Sequence, residues 1–230
     1  IGDSTTFGVG AIDYPRRLET LLTGRGIPVE VINGGVGGYS PRNLGYEIER
    51  YKALKPEIVT LYIGWNSLFL DVPWEDAWEN RLRTVWLFTR VKRTMREMFN
   101  DPRTFALSLY NRDLKPDSGS PDVRMLETYM PPFMGRIERL IDEFTPIGSR
   151  IVLVTLPGLF TMSEPPSIRA LKIGHLPYFT NNPYVLAKMT ERLNSALRAL
   201  AEPRGIGLID LEKWSVQALR PRDDFFSDSV

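Results

Sequence analysis

The run Ile58-Val59-Thr60-Leu61-Tyr62-Ile63 is followed directly by Gly64-Trp65-Asn66. Its apolar and β-branched residues predict a strand that is buried on both faces, as the strands of a parallel sheet are. Residues 151–156 form a second run of the same kind. Shorter runs predict strands that end at Ile1 and that cover 29–32 and 206–210. The sequence therefore predicts a five-stranded parallel sheet.

Segments with helical periodicity alternate with these strands. They predict helices over 14–23, 41–54, 123–144 and 185–201. Strands that alternate with helices are typical of an α/β protein, here a three-layer α/β/α, flavodoxin-like fold. Ligands of such folds bind beyond the carboxyl ends of the strands, near the switch point between the first and third strands.

The segment between the third and fourth strands is longer than one crossover needs, and we expect a helical cap insertion at about 70–122. A helix predicted over 75–99 carries an aromatic and aliphatic stripe beside basic residues. Such a helix suits contact with a membrane surface, at 74–99, or a cap over an acyl pocket. The alternative is a helix packed on the domain with a solvated basic face, which is the more common role of such a stripe.

Composition excludes several kinds of site. The 230 residues carry a formal net charge of +1, which gives no reason to expect a nucleic-acid partner. The absence of cysteine excludes disulfides and thiolate chemistry, and the single histidine, His175, excludes a multi-histidine metal site. We therefore expect no metal and no cofactor.

The chain begins at Ile1 without a methionine and stops at Val230 without a tail, so we expect one domain over 1–230 that is truncated at both ends. A signal peptide or anchor upstream would be invisible, and an exported or membrane-associated location is weakly favoured. The oligomeric state is not indicated.

Four short blocks follow the predicted strands and carry side chains suited to acyl chemistry. Each has a plainer alternative, namely a helix cap, a flexible turn, an Asx turn and a solvated loop carboxylate. The blocks are Gly2-Asp3-Ser4, the glycine-rich residues 33–40, Gly64-Trp65-Asn66, and Ser227-Asp228.

In order, spacing and placement the blocks resemble those of the SGNH (GDSL-like) hydrolases, and the resemblance covers nearly the whole chain. It implies that Ser4 is the nucleophile and that Asp228 orients a general base. It also implies an oxyanion hole made by the Ser4 amide, the Gly38 amide and the Asn66 side chain, with Gly35 as a second choice for the glycine.

The sequence departs from the family pattern at two places. Ser67 stands where many members have an aspartate, a position that supports a turn more than the chemistry. The family places its catalytic histidine three residues after the aspartate, which is one position beyond Val230. We expect a truncated chain rather than a catalytic His175, which we expect to be structural or to contact the substrate.

The resemblance implies a carboxylic ester hydrolase that forms an acyl-enzyme intermediate and acts on a small ester, of which a lipid or an acylated carbohydrate is an example. Two alternatives stay open. An O-acyltransferase would use the same residues with an alcohol in place of water, and a binding module would keep the fold without the chemistry.

Overall fold

A computed structural model of the chain describes residues 1–8, 13–74 and 113–230. Its parallel sheet contains β1 (Ile58–Leu61), β2 (Arg150–Val154) and β3 (Gly207–Ile209), with β2 in the centre. Val59 lies opposite Ile151, and Leu153 lies opposite Leu208. The strands predicted at 58–63, 151–156 and 206–210 are thus confirmed, although each is shorter than its apolar run.

The predicted count of five strands is wrong, because the described residues form three. Gly2 makes single parallel bridges to Gly35 on one side and to Tyr62 on the other. The next helix begins two residues after Gly2, so this segment is too short for a ladder. Residues 29–32 pair with no strand of the described part of the chain, and the Val31 amide donates to Glu19 Oε2 at 3.1 Å instead. Across the sheet, the segments follow the order Gly35, Gly2, β1, β2 and β3, with the first two joined by single bridges.

The described helices are, in chain order, α1 (Ser4–Phe7), α2 (Tyr14–Thr23), α3 (Pro41–Ala53), α4 (Trp65–Leu70), α5 (Pro121–Met125), α6 (Met134–Phe144), α7 (Ile168–Ile173), α8 (Pro183–Arg204) and α9 (Leu211–Ala218). Asp13 caps α2, and its carboxylate accepts the Arg16 amide at 2.8 Å. The helices predicted over 14–23, 41–54 and 185–201 are confirmed as α2, α3 and α8.

The single helix predicted over 123–144 is wrong. Its first part is α5 and a 3₁₀ turn at Leu126–Thr128, and helix resumes only at α6. Pro131 and Pro132 lie in the break. Proline lacks the amide proton and disfavours helical backbone in the residue before it, so the pair interrupts the helix despite the apolar periodicity around it.

Helices α3, α6 and α8 cover one face of the sheet. Val59, Leu61 and Leu153 point to this side and are buried in the main hydrophobic cluster. Ion pairs join neighbouring helices, from Lys52 to Glu143 at 3.0 Å and from Arg204 to Asp142 at 2.8 Å. The three crossover helices therefore form one layer, as right-handed connections require.

Helix α2 covers the opposite face. The Tyr14 hydroxyl lies 3.2 Å from the Thr60 hydroxyl, and the Tyr14 ring meets the Tyr62 ring edge-on at 6.2 Å. Since Thr60 and Tyr62 alternate along the strand with the buried Val59 and Leu61, they point to the other side of the sheet. This confirms the three-layer α/β/α arrangement.

A buried asparagine fixes the chain beyond the end of β2. Asn194 of α8 is fully buried, and its side chain accepts the Leu156 amide at 2.7 Å and donates to the Leu156 carbonyl at 2.9 Å. The side-chain amide thus replaces a neighbouring strand at that residue. The loop that follows leaves the sheet in a fixed direction, which matters for the site below.

The predicted helix over 75–99, and most of the expected cap insertion at 70–122, lie outside the described residues. Trp74, at the edge of that region, meets Phe179 edge-on at 5.4 Å. Within the described parts of the chain, no helix is long and apolar enough to cross a membrane.

We predict that Gly64→Ala strongly destabilises the protein. Gly64 has φ of +151°, and an added Cβ would lie 2.7 Å from Leu193 Cδ2. Backbone strain and overpacking together should lower the free energy of unfolding by about 2 to 6 kcal/mol. Urea denaturation measures the loss.

Gly205→Ala is the control for that experiment. Gly205 also has a positive φ, +60°, but an added Cβ would meet nothing within 4 Å. It should cost only about 1 to 2 kcal/mol. Equal losses in the two variants would contradict the packing argument for Gly64.

Candidate active site

Ser4 is the first residue of α1 and follows the bridge at Gly2. The preceding Asp3 caps the helix, accepting the Thr5 amide at 3.1 Å and the Thr5 hydroxyl at 2.7 Å. The plain reading of this block as a helix cap is therefore correct for Asp3. The Ser4 hydroxyl and amide have no hydrogen-bond partner among the described residues, which leaves both groups available to a ligand.

The Asp3 carboxyl group is fully buried. Burial raises its pKa, and this effect exceeds the opposing effect of the hydrogen bonds from Thr5 and of the Gly64 amide. The buried Asp3 carboxyl group therefore lies directly beside Ser4. Its hydrogen bonds connect the first turn of α1, at Thr5, to the Gly64 amide, which follows β1.

The glycine-rich loop contains two candidate amide donors in different states. Gly35 is buried, its amide donates to Asn33 Oδ1 at 2.9 Å, and an added Cβ would lie 2.4 Å from the Phe7 amide nitrogen. Gly38 is exposed, has φ of +78°, and its amide has no partner in residues 1–8, 13–74 or 113–230. This difference favours Gly38 as the donor.

Asn66 connects the glycine-rich loop to the end of β1. It is half-buried near the start of α4, and its Nδ2 donates to the Tyr39 carbonyl at 2.8 Å. Tyr39 follows Gly38 directly, so the Asn66 amide group and Gly38 are brought to the same place. A side-chain amide has two N–H groups, and one remains beyond the bond to Tyr39.

Asp228 lies in a tightly held terminal segment. Its Oδ1 accepts the Val230 amide at 2.9 Å, and the Ser229 carbonyl accepts the Leu159 amide at 3.2 Å. Leu159 lies in the loop that follows β2, and Asn194 holds the start of this loop at Leu156. The structure thus brings Asp228 to the same edge of the sheet as the other blocks.

His175 lies next to this segment, a placement that the sequence does not reveal. Its backbone amide donates to Ser229 Oγ at 2.8 Å, and its ring lies 4.9 Å from the Phe69 ring of α4. Burial lowers the pKa of His175, and the negative charge of Asp228 partly offsets that effect. His175 therefore belongs to the wall of the site, between α4 and the Asp228 segment.

The edge of the sheet thus collects a hydroxyl, several N–H donors and a carboxylate. In the described part of the chain, no group of His, Cys, Asp and Glu side chains could hold a metal ion. Sequence analysis also missed Arg222, a buried cation that donates to the Gly158 carbonyl at 2.9 Å. Nothing in the surrounding Arg220-Pro221-Arg222-Asp223-Asp224 run distinguishes it from a solvated arginine.

A three-layer α/β protein with these blocks at the carboxyl edge of a parallel sheet has the fold of the SGNH hydrolases. The chain belongs to the GDSL-like lipase/acylhydrolase family, whose model matches residues 1–230. This confirms the resemblance given by the blocks. Membership supports a hydrolase of the esterase kind.

Solved structures support the same fold. The chain is similar to Axe2, an acetylxylan esterase from Geobacillus stearothermophilus, with 16% identity and a TM-score of 0.55 over 96% of this chain and 78% of that one. It is similar to AlinE4, an SGNH-hydrolase family esterase, with 17% identity and a TM-score of 0.51 over 98% of this chain and 79% of that one. It is also similar to LAE5, an alpha/beta hydrolase from the metagenome of Lake Arreo, Spain, with 16% identity and a TM-score of 0.52 over 94% of this chain and 78% of that one. No curated protein matches the chain.

We predict that Asp3→Asn changes the pH dependence of stability. Because burial raises the pKa of Asp3, the folded protein holds this proton at pH values where the unfolded chain has lost it. The wild type should therefore lose stability relative to Asp3→Asn as pH rises from the ordinary carboxyl pKa through the raised value. Asparagine retains a capping oxygen.

Urea denaturation at a series of pH values measures this difference. Asp113→Asn, at an exposed position, controls for removal of a negative charge. A stability difference that stays constant, or that favours the wild type increasingly with pH, would be incompatible with a raised pKa for Asp3.

Proposed function

We propose that this chain is a carboxylic ester hydrolase that acts through an acyl-enzyme intermediate, with Ser4 as nucleophile. The observation that carries the proposal is the uncommitted hydroxyl and amide of Ser4, at an edge that also carries Gly38 and Asn66. Asp3 caps Thr5 and not Ser4, and within residues 1–8, 13–74 and 113–230 the Ser4 groups make no hydrogen bond, so they are available to substrate.

In the proposed reaction, Ser4 Oγ attacks the ester carbonyl carbon while a base takes its proton. The carbonyl π electrons move onto oxygen and give a tetrahedral oxyanion. Collapse breaks the bond to the alcohol oxygen, which takes the proton and leaves. Water then repeats the attack on the acyl-enzyme and releases the acid and free Ser4.

The oxyanion would be held by three donors, namely the amides of Ser4 and Gly38 and the side chain of Asn66. The 2.8 Å bond from Asn66 Nδ2 to the Tyr39 carbonyl supports this arrangement, because it fixes the amide group before substrate arrives. Donors that are already oriented stabilise developing charge without a reorganisation cost.

For the base, we propose a histidine at the third position after Asp228, as the family pattern implies, with Asp228 fixing its tautomer. That position is one beyond Val230. His175 is close enough to Asp228 for the carboxylate charge to offset part of the lowering of its pKa by burial, but its ring packs on Phe69. We assign His175 to the wall that contacts the substrate.

The proposed substrates are small esters, with acylated carbohydrates and lipids as the two classes to screen first. Acylated carbohydrates are included because one similar fold belongs to a protein named as an acetylxylan esterase. We propose that residues 1–230 form one hydrolase domain, without a cofactor and without a nucleic-acid partner.

Ser4→Ala should abolish ester hydrolysis, measured with p-nitrophenyl acetate and an acetylated sugar. The assay uses the 230-residue chain and a form extended by whatever residues follow Val230 in the gene. We expect substantial turnover only in a form that includes the base, since loss of a triad member leaves about 10³ to 10⁴-fold over water.

Ser163→Ala, an exposed serine, is the matched control and should keep wild-type rates. Unchanged rates in Ser4→Ala would remove Ser4 from its role. Robust turnover by the 230-residue chain would instead make His175 the base. If neither form hydrolyses an ester, acceptor screens test the acyltransferase and ligand screens test the binding module.

Asn66→Ala should lower kcat by about 10² to 10³-fold, because one oxyanion donor is lost, while KM changes little. Steady-state kinetics on the same ester measure both constants. Asn181→Ala, at an exposed position, should change neither. A higher KM with unchanged kcat would assign Asn66 to substrate binding and not to the oxyanion.

A further inference from the structure

Arg222 is a buried cation without an ion-pair partner among the described residues. The residue is 6% exposed, and no carboxylate of the described residues lies within salt-bridge distance of it. Nε donates to the Gly158 carbonyl at 2.9 Å, Nη2 donates to the same oxygen, and Nη2 lies 3.4 Å from Ser215 Oγ. The guanidinium therefore binds the loop after β2 and not a counter-ion.

Such an arrangement is costly. Burial disfavours the charged form and lowers the pKa of Arg222, and a buried charge is normally paired with an opposite charge. The described compensation is the shared Gly158 carbonyl and the Phe226 ring, whose centroid lies 5.1 Å from the guanidinium carbon. Stability alone does not explain a cation here, because an apolar side chain of similar volume often does as well.

The contacts of Arg222 explain its presence better. Residues 222–229 form the terminal segment. At its first residue, the Arg222 guanidinium donates to the Gly158 carbonyl, and at its last residue, the Ser229 carbonyl accepts the amide of Leu159, which follows Gly158 in the chain. Two consecutive loop residues thus fix both ends of residues 222–229. Asp228 lies between these two contacts, directly beside the one at Ser229.

We infer that Arg222 is a positioning residue for Asp228, which it holds in place through Gly158 and Leu159. The effect on rate rests on the proposed function, whereas the effect on the position of Asp228 does not. Because a displacement of about 1 Å in a catalytic group can cost about 10²-fold, loss of this anchor should lower kcat and leave KM nearly unchanged.

The first test follows His175 by NMR in the 230-residue chain, which has a single histidine. Burial lowers the pKa of His175 and the charge of Asp228 partly offsets that effect, so the imidazole titration reports how near that carboxylate lies. Arg222→Lys keeps the charge but loses the planar, bidentate donor geometry. We expect its His175 midpoint to fall toward that of Asp228→Asn.

The matched control is Arg139→Lys. Arg139 is exposed, and its Nε donates to the Gly135 carbonyl at 3.2 Å within α6, with no described contact to residues 222–229. It should leave the His175 midpoint unchanged. A wild-type midpoint in folded Arg222→Lys would overturn the inference.

The second test is kinetic and uses the full protein as its gene encodes it. Arg222→Ala should lower kcat by up to about 10²-fold with little change in KM, and Arg222→Lys should lower it less. Arg222 also lines a cavity of about 130 Å³, so guanidinium ions added below denaturing concentration should restore part of the kcat of Arg222→Ala.

A higher KM with unchanged kcat in a folded Arg222 variant would also overturn the inference. The two proposals fail separately. If the wild type hydrolyses no ester, the proposed function fails, while the His175 midpoint in Arg222→Lys still decides whether Arg222 positions Asp228.

Discussion

The carboxyl edge of the sheet depends on backbone contacts that only glycine allows. A Cβ on Gly2 would lie 2.0 Å from Thr6 Oγ1 and 2.4 Å from the Tyr62 carbonyl, and one on Gly35 would lie 2.4 Å from the Phe7 amide nitrogen. Three chain segments therefore converge at α1 with no side chain between them. That convergence, together with the backbone hydrogen bonds from Ile1 N to the Thr60 carbonyl at 2.8 Å and from Tyr62 N to the Ile1 carbonyl at 3.1 Å, fixes where Ser4 stands relative to β1.

Around this point, the loops are held by polar side chains that are themselves buried or half-buried. Asn194 fixes the end of β2 at Leu156, Asn66 holds the glycine-rich loop at Tyr39, and Arg222 holds Gly158. Each bond joins segments far apart in the chain, so each loop end is tied to a helix or turn and not to its sequence neighbours. A site built in this way is rigid because its polar groups have few alternative partners.

Parts of this arrangement follow from the sequence and parts do not. The apolar runs at 58–63 and 151–156 predict their strands because burial on both faces selects a continuous β-branched run. The strand predicted at 29–32 is wrong, because the described residues offer this segment a single bridge, between Gly35 and Gly2, and local periodicity does not reveal which segments lie side by side. The blocks predict which groups meet at the edge. The nearness of His175 to Asp228 and the anchor at Arg222 depend on long-range packing, which leaves no local pattern.

Helix α4 has six residues, and two of them serve different halves of the edge. Asn66 binds the glycine-rich loop, and Phe69, about one turn later, packs against His175. The backbone amide of His175 in turn donates to Ser229, beside Asp228. The glycine-rich loop and the segment that holds Asp228 are thus joined through one short helix, so any change in the position of α4 would alter both contacts together.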